Sequence, residues 1–355
     1  MSGDAINVAV VGLGEIWTVV QRAYVECPGV TVSALCDRDE GRLAAASALF
    51  PSAFATTSLE ELLARDDVDY VEVLVPSPAH CDVACAALEA GKHVQLQKPM
   101  ASTLAEADRI VEAARSAGRI CRVTEDYVFI DSIQALRDVV TSGEIGDPLS
   151  LHTKLVGTGP GAWDVRSDSW RWLMPNVLSG LGLMSYDHGW HHFAVAYWLF
   201  GPATRVSAWV GATPLGGPYV MDAPTTIMWD HANGVRGVFD ITYAPEMYWD
   251  SDYYGGDERF EVTGTLGYAR VNWVTARGIG GPVLEVYRDG ATRQYHSLDG
   301  DWARGLVRST RSFSEFLRGE HEELMFTAEQ GREILALTLA SDESSRLDGA
   351  AVSIS

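Results

Sequence analysis

The alternation of short apolar runs with helix-like segments over about the first 125 residues constrains the fold more than any other feature of this chain. The first run, residues 6–11, ends at Gly12, and a stretch free of proline follows it. Later in the same region, Thr103 and Glu106 have the spacing of a capping box at the start of a helix. Strands that alternate with helices in this way predict a parallel, doubly wound sheet with right-handed crossovers.

After Thr124 the period changes, because apolar and polar residues now alternate at every second position. This period is typical of strands that bury one face, and it predicts an antiparallel sheet. The predicted strands are residues 149–156, 205–211, 234–243, 259–263, 268–273 and 284–288. Further helices are predicted over residues 132–142, 187–200, 302–317 and 327–346. We therefore expect an α/β Rossmann domain over residues 1–125 and an α+β domain with a large open, mainly antiparallel sheet over residues 126–355.

The charge and the cysteines narrow the class of protein. A formal net charge of −21 is spread along the 355 residues, which argues against a nucleic-acid partner. The N-terminus lacks the pattern of an export signal, and no apolar run is long enough to span a membrane, so a cytoplasmic protein is expected. Five cysteines are an odd number for a disulfide framework, so reduced and mostly buried thiols are predicted.

The turn after the first strand carries the first candidate site. Gly12 and Gly14 would let a pyrophosphate approach backbone N–H groups at the start of a helix. Trp17 stands where a third glycine or alanine would normally allow close packing of helix and strand. The predicted dinucleotide contacts in this turn are Gly12, Gly14, Glu15 and Ile16.

Asp37 follows the second strand and is placed to accept hydrogen bonds from ribose hydroxyls, which favours NAD over NADP. The neighbouring Arg38 leaves NADP open, because a guanidinium can pair with a 2′-phosphate. A structural reading also stays open, in which Asp37 only initiates a turn.

A lysine ends another predicted strand, in the segment Gln97-Lys98-Pro99. Ligands bind at the carboxyl ends of strands in such folds, where Lys98 could donate to a substrate hydroxyl or carbonyl. A solvated surface charge is the alternative reading of the same lysine.

The helix predicted over residues 187–200 begins with Asp187-His188-Gly189-Trp190-His191-His192. In an α-helix Asp187 and His191 would share a face, so the carboxylate could orient an imidazole that takes a proton from a carbinol. His188 and His192 have the spacing of metal ligands, but neither a second carboxylate nor the motif of known metal-binding helices accompanies them. We therefore expect no metal site and predict that these two histidines line the substrate pocket.

Taken together, these segments resemble the Gfo/Idh/MocA family, the group of glucose-fructose oxidoreductase and inositol dehydrogenase. The resemblance covers nearly the whole chain. It rests on the glycine turn, Asp37, the Lys-Pro step at Lys98, the Asp-x-Gly-x-His pattern from Asp187 to His191, Ser77-Pro78-Ala79-His80, and Glu261-Val262-Thr263-Gly264-Thr265-Leu266-Gly267. Two positions depart from the family pattern, since Gln97 replaces a glutamate and Trp17 replaces a small residue.

The resemblance implies an NAD(P)-dependent dehydrogenase that oxidises a secondary alcohol of a sugar, glycoside or cyclitol, in a homo-oligomer such as a dimer or tetramer. It assigns Lys98, Asp187 and His191 to the reacting carbon. Further cofactor contacts are expected from Pro76, Ser77, His80, Gln97 and Lys98, and substrate contacts from Lys98, Tyr127, Trp163, Arg166, Trp170, His188 and His192. Two alternatives remain: an enzyme that cleaves glycosides by redox cycling of a bound NAD, and a cofactor-binding sensor without catalysis.

Overall fold

The computed structural model describes residues 5–158, 181–216, 219–244, 246–247, 256–274 and 281–354. The chain divides into two compact units. Met1–Glu125 and Leu306–Leu335 form the first unit, and Asp126–Gly305 and Ala336–Ser355 form the second. The sequence predicted a boundary after residue 125 but assigned everything beyond it to one domain, whereas Leu306–Leu335 groups with the first unit.

Contacts between distant parts of the sequence explain why Leu306–Leu335 belongs to the first unit. The Arg122 guanidinium donates to the Ser309 carbonyl at 3.2 Å, and the ring of Phe313 meets that of Tyr70 edge-on at 5.3 Å. The Val123 amide donates to the carbonyl of Phe326 at 2.8 Å. These contacts span up to 243 residues of sequence, so local periodicity carries no sign of them.

The first unit is built on a six-stranded parallel sheet with the strand order β3-β2-β1-β4-β5-β6. Its central strand β1 is buried at five of six positions, as expected where helices cover both faces of a parallel sheet. The strands are β1 (Ile6–Val11), β2 (Val30–Cys36), β3 (Phe54–Thr56), β4 (Tyr70–Val73), β5 (His93–Leu96) and β6 (Cys121–Val123). The helices that follow them are α1 (Trp17–Glu26), α2 (Glu40–Leu49), α3 (Leu59–Leu63), α4 (His80–Glu89) and α5 (Leu104–Ala117).

The predicted capping box of α5 is present. The Thr103 hydroxyl accepts from the Glu106 amide at 3.2 Å, while the Glu106 carboxylate accepts from the Thr103 amide at 3.0 Å. Gly118 ends the helix in the left-handed conformation with φ of 61°.

The second unit contains a nine-stranded sheet with the order β16-β15-β14-β13-β7-β12-β11-β8-β17. Only its β7–β12 pair is parallel among the described strands, so the sheet is mainly antiparallel. Its strands are β7 (Pro148–Thr158), β8 (Ala203–Val210), β11 (Thr225–His231), β12 (Arg236–Ala244), β13 (Gly256–Gly264), β14 (Gly267–Val271), β15 (Leu284–Arg288), β16 (Ala291–Tyr295) and β17 (Val352–Ser353). A separate two-stranded sheet pairs β9 (Thr213–Gly216) with β10 (Tyr219–Met221). The predicted fold class is confirmed.

Strand β11 was not predicted from the sequence. Its inward positions include Thr225 and His231, while the apolar Met228 points outward and is 37% exposed. Polar residues on the buried face and an apolar residue on the other obscure the two-residue period.

Among the described residues, the remaining α-helices are α6 (Asp131–Thr141), α7 (Gly189–Phe200), α8 (Trp302–Leu317) and α9 (Ala328–Arg346). The helix predicted to begin at Asp187 begins instead at Gly189, because a π-helical turn over Leu183–His188 precedes it. No helix among the described residues is both long and apolar enough to cross a membrane. All five cysteine thiols are free and buried.

Candidate functional site

The glycine turn of the first unit is shaped by Gly12. Its φ of +97° suits glycine, and a Cβ there would lie 2.8 Å from the backbone of Leu74 and Val75 at the end of β4. The Gly12 amide also donates to the Cys36 carbonyl at 2.9 Å, which ties the turn to the end of β2. The turn therefore lies among the carboxyl ends of three adjacent parallel strands, β1, β2 and β4, where such folds bind dinucleotides.

Asp37 fixes this turn from the end of β2. One carboxylate oxygen accepts from the Leu13 amide at 2.6 Å, and the other accepts from the Asp39 amide at 2.8 Å. Asp37 therefore stabilises the turn through its side chain, as one of the two interpretations of the sequence proposed. A carboxylate offers about four lone-pair positions, so ribose hydroxyls can also bind to it. Arg38 beside it is exposed.

Trp17 is accommodated without loss of the strand–turn–helix motif. It is the first residue of α1 and is buried, with its ring 5.8 Å from that of Phe50 and 6.2 Å from that of Tyr24. The preceding Ile16 provides no side-chain cap, so the first N–H groups of the helix are not capped in the way that Ser or Asp would cap them. The amides of Trp17 and Thr18 instead donate to the carbonyls of Gly14 and Glu15, at 3.2 and 3.1 Å, so what α1 offers an anion is the positive end of its dipole and not these N–H groups.

We expect Gly12→Ala to lower the free energy of unfolding by about 1–3 kcal/mol, because alanine disfavours a positive φ and its Cβ would collide with backbone atoms. Gly14→Ala is the matched control, since a Cβ there meets only the end of the Arg42 side chain at 3.6 Å. Urea unfolding of the two variants checks this prediction. Equal stability of the two variants would contradict it.

At the end of β5, Gln97 and Lys98 occupy the predicted position. The Gln97 side-chain oxygen accepts from the Lys98 amide at 2.8 Å. The Gln97 side-chain nitrogen is buried and has no hydrogen-bond partner among the described residues. Lys98 is half-buried, and its peptide bond with Pro99 is cis. Gln97 thus positions the backbone of Lys98 and offers an amide donor.

His80 is buried at the start of α4, after the short 3₁₀ helix Ser77–Ala79 that follows Pro76. Its Nδ1 lies 2.9 Å from the Pro99 carbonyl oxygen, and its Nε2 lies 2.8 Å from that of Val75. The imidazole therefore bridges the segments after β4 and β5. This placement favours a positioning role for His80 over direct contact with a cofactor.

In the second unit, His191 lies on α7 with two neighbours from the segment after β6. Its ring is stacked on Tyr127, with centroids 4.2 Å apart and an angle of 8° between the planes. Its Nδ1 lies 3.6 Å from a carboxylate oxygen of Asp126. The sequence did not single out Asp126, although its position just after a parallel strand was a usable signal.

Asp187 lies in the π-helical turn, so the argument from α-helical spacing to His191 does not apply to it. The carboxylate of Asp222 holds this turn by accepting from the amides of Leu183 and Ser185, at 2.9 and 2.6 Å. Asp222 thereby caps the turn that carries Asp187.

His188 contacts a carboxylate that the sequence did not identify. Its Nε2 makes a short contact with Glu258 of β13, and the Tyr127 hydroxyl donates to the two oxygens of that carboxylate at 3.0 and 2.8 Å. All three side chains are buried. Glu258 lies on the same buried face of β13 as Phe260. A charged residue among the buried positions of a strand was the signal in the sequence that could have identified Glu258.

His192 has no exposed surface, and its ring is stacked between those of Phe239 and Phe260, at 4.1 and 4.7 Å. Burial lowers the pKa of His192 well below its ordinary value, and the neighbouring His188 and His191 lower that pKa further. This placement does not favour direct substrate contact by His192. The predicted substrate residues Trp163, Arg166 and Trp170 lie outside the described residues.

Two family models match the chain. Residues 6–125 match the model described as an oxidoreductase family with an NAD-binding Rossmann fold, and residues 133–270 match that of the GFO/IDH/MocA C-terminal domain. The predicted NAD-binding fold is thereby confirmed.

Curated relatives include D-apiose dehydrogenase of Paraburkholderia graminis, 29% identical over 66% of this chain and 60% of the relative. Inositol 2-dehydrogenase of Salmonella paratyphi B is 33% identical over 41% of this chain and 45% of the relative. The chain thus spans less than two thirds of the length of either relative.

Solved structures match over the whole chain. An oxidoreductase from Agrobacterium radiobacter, crystallised with NAD⁺, L-tartaric acid and magnesium, has a TM-score of 0.84, 21% identity and 98% coverage of both chains. An oxidoreductase domain protein from Kribbella flavida has a TM-score of 0.82 and 21% identity, and it covers 99% of this chain and 100% of its own. These likenesses show the same fold. With both family models matched in order along the sequence, the chain belongs to the Gfo/Idh/MocA family of oxidoreductases.

Proposed function

We propose that this protein is an NAD-dependent dehydrogenase that oxidises a secondary alcohol of a sugar, glycoside or cyclitol. The observation that carries the proposal is the placement of His191, a buried imidazole between the ring of Tyr127 and the carboxylate of Asp126. An imidazole held in this way can take the proton of a hydroxyl group in the reaction. The relatives named for D-apiose and inositol support the class of substrate.

The residues of the first unit fit a dinucleotide. The turn at Gly12 and Gly14, at the positive end of the α1 dipole, would hold the pyrophosphate, while Asp37 would bind the adenosine ribose. A carboxylate at that position repels a 2′-phosphate, so NAD is preferred over NADP. A bound NAD would supply the hydride acceptor for the oxidation of the carbinol carbon.

The protein side chains then have separate tasks. His191 removes the hydroxyl proton, and Asp126 stabilises the imidazolium that forms and fixes the ring. Lys98 stabilises the developing negative charge on the substrate oxygen. The family pattern places Asp187 among these groups. Asp187 lies in the π-helical turn that Asp222 caps, so this turn sets its position and α-helical spacing does not.

A panel of sugars, glycosides and cyclitols, assayed with NAD⁺ and with NADP⁺, tests this function through the absorbance of the reduced nicotinamide. The expected result is turnover of at least one polyhydroxylated substrate, with higher kcat/KM for NAD⁺. Cleavage of a glycoside without net formation of NADH would instead assign the redox-cycling reaction. Binding of NAD⁺ with no turnover across the panel would contradict the proposal.

A further inference from the structure

The side chains of His188, His192 and Glu258 offer three ligand atoms that all lie within 4.8 Å of one another. The sequence shows the histidine spacing without the motif of known metal-binding helices, and β13 supplies a carboxylate, that of Glu258, 70 residues beyond His188. We propose that this cluster binds one divalent first-row transition-metal ion. The proposal concerns the second unit alone and does not depend on the dehydrogenase reaction.

The donor types decide the class of ion. Two imidazoles and one carboxylate form a ligand set that Zn²⁺ uses in sites that keep a position open. Mg²⁺ and Ca²⁺ prefer oxygen ligands throughout, so two nitrogen donors argue against them. With neutral imidazoles, the single carboxylate leaves a net positive charge on the bound ion, which favours a further oxygen ligand at the open position.

An independent observation at His192 points to a ligand. Neither ring nitrogen of this fully buried side chain has a hydrogen-bond partner among the described residues. A buried polar group without a hydrogen-bond partner destabilises the folded state. The stacked rings of Phe239 and Phe260 restrict the imidazole to its plane and direct a nitrogen toward His188 and Glu258. Ligation of a metal ion would satisfy that nitrogen.

A second layer of contacts holds the carboxylate in place. The Tyr127 hydroxyl donates to both oxygens of Glu258, as outer residues commonly do for metal-binding carboxylates. Zn–N and Zn–O bonds of about 2.0–2.2 Å separate ligand atoms by roughly 3–4 Å. The three ligand atoms already lie within 4.8 Å of one another, which is close to that spacing.

The full-length protein, freed of metal with a chelator and dialysed, provides the test without substrate or cofactor. Calorimetric titration with Zn²⁺ is expected to give one ion per chain, and Co²⁺ is expected to give visible d–d absorption of a low-coordinate nitrogen and oxygen site. His192→Phe keeps the stacked ring and Glu258→Gln keeps the shape of the side chain. Each is expected to weaken binding by more than the factor of about 10–100 that loss of an outer contact costs.

His152→Ala is the matched control, because His152 forms an exposed pair with Asp240 at 2.9 Å in the same sheet, and its loss should leave the affinity unchanged. Tyr127→Phe removes the hydroxyl that contacts Glu258 and His188 and should weaken binding by about 10–100-fold, which tests the site even if the ligand variants do not fold. Absence of stoichiometric Zn²⁺ binding, or equal affinity in the wild type and the cluster variants, would overturn the proposal and leave a hydrogen-bonded cluster. The metal titration uses neither substrate nor NAD⁺, so a negative result would leave the proposed dehydrogenase function untouched. A negative result in the substrate panel would likewise leave the proposed metal site untouched.

Discussion

Replacement of His191 by alanine is expected to lower kcat by about 10²–10⁴-fold, which is the contribution that a positioned general base typically makes. The imidazole lies beside the Asp126 carboxylate and is stacked on the Tyr127 ring, and alanine removes the group that takes the proton while leaving these two side chains unchanged. The affinity for NAD⁺ should change little, because the proposed dinucleotide contacts lie in the first unit. Steady-state kinetics on the best substrate of the panel and titration of NAD⁺ by fluorescence measure the two quantities.

His152→Ala serves as the control for this experiment as well, because it removes an exposed histidine that is paired with a carboxylate. That variant should keep full activity. Asp126→Asn should lower kcat by a smaller factor than His191→Ala, since it keeps the imidazole and removes only the charge beside it. Wild-type kcat in the His191→Ala variant would exclude the proposed base.

The parts of this protein that could be predicted are those encoded by neighbouring residues. The turn at Gly12 was predictable because the strand before it, the helix after it and the glycines themselves lie within a short stretch of sequence. The capping box at Thr103 and Glu106 was predictable for the same reason, and the structure contains it. The alternation of apolar and polar residues after Thr124 likewise predicted most strands of the large sheet.

Contacts across long stretches of sequence could not be predicted. Glu258 meets His188 because β13 pairs with β7 in the interior of a sheet whose strand order no local pattern reveals. The π-helical turn that carries Asp187 depends on Asp222, which caps it from up to 39 residues away. Asp126 lies next to His191 because α7 packs beside the segment after β6 in the second unit. No local pattern in the sequence indicates this packing.

Replacement of Glu72 by glutamine is expected to change the pH dependence of stability. Glu72 lies on β4 with no exposed surface, and one of its oxygens accepts from both the Tyr24 hydroxyl and the Gln95 amide. Its other oxygen has no hydrogen-bond partner among the described residues. Burial raises the pKa of Glu72 from 4.5 to about 7, against the lowering effect of those two hydrogen bonds and of the Arg122 charge.

The direction in which stability changes with pH follows from proton binding to Glu72. Between pH 4.5 and about 7 the folded protein holds a proton on Glu72 that the unfolded chain releases, so the stabilisation is complete below 4.5 and declines as pH rises to about 7. A shift of this size corresponds to about 3 kcal/mol. Glutamine keeps the oxygen that accepts the two hydrogen bonds and never ionises, so Glu72→Gln should match the wild type near pH 4.5 and be more stable by up to about 3 kcal/mol above pH 7.

Urea unfolding at intervals from pH 5 to pH 8 measures this difference. The matched control is Glu112→Gln on α5, where the side chain is 66% exposed and the free energy of unfolding should follow that of the wild type at every pH. If Glu72→Gln and the wild type lose stability in parallel as pH rises, the buried carboxyl is not the group responsible. A gap that widens between pH 5 and pH 7 and levels off by pH 8 would identify the titration of Glu72, because the other groups whose pKa values depend on Glu72, namely Tyr24, Tyr70 and Arg122, titrate above this range.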